Sequence, residues 1–282
     1  MKRLPNIAYR RAAISEWDRI AAKAVRKGCD ARDAALPEDI DLLGTSLKTL
    51  KTDKDGGTNS RVLYLAPATA SGRNVCPWST PECRSTCLGE HSGQMSMTPA
   101  RNARDWKTQL YFGDRELFWT ILANEIASHE KACEKTELLP VIRLDGTSDL
   151  GLAGEIAATF PGVIFYDYSK DPKRALASAK GDLPDNWHVT MSYSGSNRAD
   201  CVKVLQAGGN VATVFGARPG IEGRRPADPL PATWEGFPVV DGDKSDARWL
   251  DGRGTVAGLR FKASTDWAGS LARAGSFVEV VA

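Results

Sequence analysis

From residue 141 onward the sequence alternates between two textures, and this alternation limits the fold more than any other feature. The runs VIRL (141–144), VIFYDY (163–168), HVTMSY (188–193), NVATVF (210–215), FPVV (237–240) and TVAGLRF (255–261) are short, β-branched or aromatic. Most are separated by helix-length segments, at 151–159, 171–180 and 196–207. Strands that alternate with helices build βα units, and βα units build a mainly parallel sheet. The expectation is therefore an α/β fold with a mainly parallel sheet, partial (β/α) barrel-like, preceded by an N-terminal helical region. Residues 1–50 read as a helical extension, with an amphipathic helix over 13–27. Residues 51–282 read as a single barrel-like domain.

The junction of the two parts has its own signals. KTDKDGGTNS (51–60) reads as a polar, Gly-rich loop and RVLYLAPA (61–68) as a strand that Pro67 stops. A long helical stretch is expected from Thr98 to Lys135. Thr98 serves as N-cap and Pro99 as first helical residue, with a break at Gly113-Asp114. Residues 216–236 are too rich in Gly and Pro for regular structure and read as a functional loop. Gly208-Gly209-Asn210 reads as a helix C-cap rather than a phosphate cradle, and His188, opening a strand, as structural.

Composition narrows the function classes. Hydrophobic residues make up 42% and charged residues 26%, and the net charge is +2. Wholesale disorder is excluded, and so is a strongly basic coat for duplex DNA, although a local basic groove is not. No apolar run approaches the roughly 18 residues of a membrane span. The basic start MKRLPNIAYRRAA lacks the apolar stretch of a signal peptide. These features lead us to expect a cytoplasmic protein. In that compartment clustered cysteines mean metal or catalysis more often than disulfides.

Of six cysteines, Cys29, Cys133 and Cys201 are scattered and read as plain thiols. Cys76, Cys83 and Cys87 lie within one short loop, 76–91, directly after a strand. Thiolates are soft ligands. Three of them suit a 4Fe-4S cluster with one open iron. With His91 as fourth ligand they suit a closed zinc site. We favour the iron–sulfur alternative, because α/β folds place their sites just after strands.

The other strand ends carry a second set. VIRL runs into Asp145, Ser148 and Asp149, and VIFY into Asp167, Tyr168 and Lys170. HVTM runs into Ser192, and FPVV into Asp241, Asp243 and Asp246. In a parallel sheet these gather at one rim with the cysteine loop. Asp145, Asp149, Asp167 and Asp241 are the candidate catalytic carboxylates. Ser148, Tyr168, Lys170, Ser192 and Asp243 are candidates for holding a cofactor or substrate. Asp246 is expected to pair with a local Arg or cap the next turn. Ordinary turn chemistry explains any one of these segments, but four in succession favour a site. Lys170, Lys173, Arg174, Arg218, Arg224 and Arg225 are candidates for a basic rim around a phosphate-bearing substrate. P-loop, nucleophile-elbow and dinucleotide-binding glycine motifs are absent.

NVCPWSTPECRSTCLG, Ala100-Arg101, Lys107-Thr108, RLDGTSDL, FYDYSK, VVDGDKSDARWLD and GTVAGLRFK, in that order, resemble the phage and prophage "gene 88 protein" family over about residues 45–265. That resemblance implies a mobile-element setting, hence the host cytoplasm, and no particular reaction. A more distant, architectural similarity is to radical S-adenosylmethionine enzymes, which hold three cluster cysteines after the first strand of a partial barrel. It implies a 4Fe-4S cluster on Cys76, Cys83 and Cys87, with S-adenosylmethionine at the strand ends. The cysteine spacing here is six then three, not the usual three then two.

The leading functional expectation is an enzyme with a metal–cysteine centre that modifies a nucleotide or nucleic-acid base. A queuine-type base transglycosylase, with structural zinc and an Asp nucleophile, is the alternative. A third reading is a zinc-stapled protein, not an enzyme, that binds a host factor or stacks single-stranded nucleic acid on Trp78, Trp106, Tyr168 and Tyr193.

Overall fold

The computed structural model describes residues 41–91, 93–217, 230–262 and 267–281. The expected helix over 13–27, Cys29, Arg218, Arg224 and Arg225 lie outside these residues. Among the described residues ten strands form one sheet. They are β1 (Leu43–Gly44), β2 (Thr58–Leu63), β3 (Leu139–Arg143), β4 (Ile164–Ser169), β5 (Trp187–Ser192), β6 (Asn210–Ala217), β7 (Thr233–Trp234), β8 (Phe237–Asp241), β9 (Val256–Arg260) and β10 (Val278–Val281). The order is β1-β2-β3-β4-β5-β6-β9-β8-β7. Every pairing from β2 to β8 is parallel, and only the end strands β1 and β7 run antiparallel. The α/β, mainly parallel expectation holds. The sheet is open rather than closed on itself, because its two ends are the separate short strands β1 and β7.

β10 explains why the sheet branches. β9 pairs with Val211–Phe215 of β6, while β5 pairs with residues 210–212 and β10 with 214–217. β5 and β10 therefore share the other edge of β6, one after the other. The C-terminal strand is thereby placed at the carboxyl end of β5.

The helices are α1 (Leu47–Gly56), α2 (Pro81–Ser85), α3 (Leu88–His91), α4 (Thr98–Gly113), α5 (Arg115–Lys135), α6 (Pro172–Lys180), α7 (Arg198–Gln206) and α8 (Trp267–Ala274). Several expectations shift. The supposed 51–60 loop is the end of α1 and the start of β2, since Ser46 and Thr49 form a capping box that starts a helix. Thr98 is the first helical residue and Met97 the N-cap. Segment 151–159 forms two 3-10 turns, Leu152–Glu155 and Ala157–Thr159, rather than an α-helix. Residues 43–44 of the expected N-terminal extension are built into the sheet itself.

Residues alternate between the two faces of the strands, and the two faces bury different chemistry. Leu63, Ile142, Phe165, Val189, Met191, Val211, Phe215 and Val256 share the large core with Trp106 and Leu110 of α4 and Phe118, Ile121, Leu122 and Ile126 of α5. Each fully buried Leu or Phe there stabilises by about 1.5–3 kcal/mol. The opposite face presents Thr58, Ser60, Arg143, Tyr166 and Tyr168, and is covered by α1 and the segment after β8. Asp53 of α1 accepts from the hydroxyls of Thr58 at 2.7 Å and Ser60 at 2.6 Å.

Candidate active site at the carboxyl rim

The carboxyl ends of β2, β3 and β4 lie side by side, and the cysteine loop is fastened across them. Gly146 donates to Leu63 O at 3.0 Å, so close that a Cβ there would sit 2.7 Å from the same oxygen. Gly89 of α3 packs so tightly on Thr147 that a Cβ would come within 2.9 Å of its methyl. Asp149 N–H donates to Val75 O at 2.8 Å. The turn before Cys76 closes through Val75 N–H to Ala68 O at 2.9 Å, and Ala68 is left-handed at φ 48°. Strain of this kind clusters at functional sites. Thr80, with Pro81 next, caps α2 by accepting from Cys83 N–H at 3.1 Å.

Cys76 Sγ accepts from Ala68 N–H at 3.4 Å and donates to Thr147 O at 3.5 Å. The nearby amides of Gly89 and Glu90 favour the Cys87 thiolate, and Cys83 favours the charged form of Lys170. The sulfurs also sense one another electrostatically, Cys76 with Cys87 and Cys87 with Cys83. Burial pushes the Cys76 thiol up to about 12 and raises Cys87 as well. A thiol protonated at neutral pH is a poor nucleophile, so burial argues against Cys76 and Cys87 as nucleophiles. Among the described residues no group of three or more His, Cys, Asp or Glu is already disposed to hold a metal ion. The loop cysteines thus share a neighbourhood without a closed coordination shell. His91 is exposed at the end of α3. Cys133 and Cys201 are buried free thiols.

Lys170 is the hub of this rim. Burial lowers its pKa, but Cys83, Asp149 and Cys76 outweigh that and hold it above the ordinary value. Its ammonium also lies 6.0 Å from the Phe277 ring centroid, so the C-terminal segment borders the site. Ser85 Oγ donates to Arg273 O at 3.0 Å, joining α2 to α8. Asp149 orients Lys170: its carboxylate accepts from Lys170 N–H at 2.8 Å, Ser169 Oγ at 2.7 Å and Arg174 Nη1 at 2.8 Å. Lys170 and Asp149 therefore join the three cysteines, and Arg174 of the expected basic rim supports them from behind.

The other expected site residues are placed elsewhere. Asp145 accepts from Ser148 Oγ at 2.6 Å and from the amides of Leu150, Gly151 and Leu152, holding the turn after β3. Asp167 is buried between Asp145 N–H at 2.9 Å and Trp187 Nε1 at 3.1 Å. Burial and the neighbouring Asp145 raise its pKa to about 8. Ser192, at the end of β5, accepts from Asn197 Nδ2 through its carbonyl. Asp241 and Asp243 sit at the end of β8, four strands from β4, where Arg260 contacts them at 2.8 and 3.5 Å and Lys262 contacts Asp243 at 3.1 Å. Asp241 thus lies at the same carboxyl rim as Asp145, Asp149 and Asp167 but four strands from β4.

Asp246 departs from its expected local role. It crosses the polar face of the sheet to accept from Tyr166 Oη at 2.8 Å and Tyr168 Oη at 3.0 Å, and it pairs with Lys48 at 2.8 Å. Arg143 lies 3.9 Å from it and stacks 4.7 Å from the Tyr168 ring centroid. Tyr168 is thus committed to this cluster rather than to the cysteine rim. The one sequence signal for the cluster was the period-two spacing of Tyr166 and Tyr168. Lys48 and Arg143 carried none.

No helix among the described residues is long and apolar enough to cross a membrane. No curated protein and no solved structure matches the chain. The family described as Gene product 88, GP88, matches residues 41–275, a span holding the cysteine loop, Lys170 and the whole sheet except β10. The chain therefore belongs to the GP88 family.

Proposed function

We propose that this protein is an enzyme whose centre is a metal held by Cys76, Cys83 and Cys87, with Lys170 as charge partner. The observation that carries this reading is that three cysteines of one loop gather at the carboxyl rim of a parallel sheet, with Cys76 Sγ accepting from Ala68 N–H and the buried Lys170 close enough for Cys83 and Cys76 to favour its charged form. Hydrogen bonds to the sulfurs and nearby charge are what tune metal–thiolate centres. Three soft ligands, with His91 exposed to one side, favour an iron–sulfur cluster with one open iron over a closed zinc site. When bound, such a group supplies redox chemistry or a Lewis-acid position. The chain's own residues bind and orient: Asp149 fixes the backbone of Lys170, and Lys170 offsets the negative charge of the thiolates. A nucleotide or nucleic-acid base is the substrate class in this reading. Trp78 (44% exposed) and the exposed Arg84 support it, a stacking ring and a phosphate-seeking cation on the same loop.

Anaerobic purification with iron, sulfide and zinc analysis tests the reading. About four irons per chain, lost on Cys76→Ser, Cys83→Ser or Cys87→Ser but retained on Cys133→Ser, is the expected result. One zinc per chain would replace the cluster with a zinc centre. No metal after anaerobic reconstitution would overturn the proposal.

A further inference from the structure

The polar face of the sheet holds a cation to which the protein offers no hydrogen-bond acceptor. Arg143 is the last residue of β3, and its side chain is 19% exposed. Among the described residues none of its N–H groups reaches an acceptor at hydrogen-bond distance. Asp246 Oδ2 is 3.9 Å from Nη1, beyond a hydrogen bond. That carboxylate is held in place by other donors, the hydroxyls of Tyr166 and Tyr168 and the Lys48 ammonium. The guanidinium instead stacks on the Tyr168 ring, 4.7 Å from its centroid. Nε is fully enclosed, while the two Nη groups keep contact with solvent. A largely buried charge is costly without hydrogen bonds, and an acceptor arriving from solvent would supply them to this fork.

The surrounding charge selects the ligand. Lys48, with its side chain 38% exposed, meets Oδ1 of the same carboxylate whose Oδ2 faces Arg143. Two cations thus share one carboxylate, which leaves one positive charge in excess. Asp243 also senses Lys48, but its oxygens are already engaged by Lys262 at 3.1 Å and by the Arg260 amide at 2.9 Å. The excess suits a monoanion, whereas a dianion would be repelled by Asp246 and Asp243. A carboxylate also matches the planar guanidinium, accepting two parallel N–H bonds from Nη1 and Nη2.

We infer that Arg143 binds the carboxylate of a monoanionic small molecule on the polar face of the sheet, with Lys48 adding attraction. The site does not depend on the cysteine loop or its metal. Isothermal titration of the full-length protein with benzoate, its neutral isostere benzamide and inorganic phosphate tests it. Benzoate is expected to bind saturably, and benzamide at least about tenfold more weakly, the scale of one charge-assisted hydrogen bond. Arg143→Gln is expected to weaken benzoate by at least the same factor, and Lys48→Gln by roughly threefold, as befits a more exposed charge. If Arg143→Gln fails to fold, Lys48→Gln and the two ligands compared on the wild type still decide. Absence of saturable benzoate binding, equal binding of benzamide, undiminished benzoate binding in either folded variant, or binding of phosphate alone would each overturn the inference. None of these outcomes bears on whether the cysteine loop holds metal.

Discussion

The amide of Asp145 donates to Oδ1 of Asp167 at 2.9 Å, so the last turn of one strand is tied to a buried carboxyl on its neighbour. Asp167 in turn accepts from the Trp187 indole on the third strand. One side chain thereby sets the relative height of β3, β4 and β5 beneath the cysteine loop.

That carboxyl gives a pH signature. Burial raises its pKa to about 8, above the roughly 3.9 of an unfolded Asp. The folded state then holds a proton between these values that the unfolded chain has released. Stability from this group is complete below the unfolded pKa and is lost as pH rises through about 8, by at most about 1.4 kcal/mol per pH unit. Urea unfolding of wild type and Asp167→Asn at pH 5 to 8 should show the wild type's relative stability declining with pH. A difference that stays constant across this range would refute the shift.

Asp246 and Asp241 should separate cleanly. Asp246 is 2% exposed and anchors Lys48, Tyr166 and Tyr168, so Asp246→Ala leaves buried groups unpaired and should cost about 3–5 kcal/mol. Asp241 is partly exposed beside Arg260, and Asp241→Asn should cost no more than about 1 kcal/mol. Denaturant midpoints measure both. Equal costs would mean that the bridge from Asp246 to β4 is absent in solution.

Glu125 holds the first strand. Its two carboxylate oxygens accept from Leu42 N–H and Leu43 N–H, both at 2.8 Å, and Lys107 Nζ donates to Leu42 O at 2.8 Å. Glu125→Ala should abolish hydrogen-exchange protection at these two amides while protection in β4 and β5 persists. Unchanged protection at Leu42 would show that β1 is held by other contacts.

Lys170 should matter to metal retention through its charge. Lys170→Met should lower metal content per chain and Lys170→Arg should restore much of it, because Arg keeps the cation. Circular dichroism of both variants separates this effect from misfolding. Full metal loading in Lys170→Met would remove the residue from the centre.

The sequence by itself determined the succession of elements in the second half of the chain. β4, β5, β6, β8 and β9 start and stop within one or two residues of their apolar runs, because period-two burial and local turn chemistry are written in adjacent residues. Asp171-Pro172 at one end and Gly181 at the other bracket α6 for the same local reason. Part of the candidate site was also legible. Cysteines after one strand and a lysine at the end of another must share a rim once the strands are parallel. The tertiary structure alone decided which carboxylates join them. Asp149 sits on Lys170, Asp145 closes its own turn, and Asp241 lies four strands away. These three carboxylates look alike in sequence, since each follows an apolar run. They differ in strand order and in how the loop after each strand folds back on the sheet, and both follow from packing between distant elements. Likewise only the fold could bring Asp246 to Tyr166, across 80 residues of chain. Such contacts are set by which face of the sheet a loop crosses, and no local pattern records it.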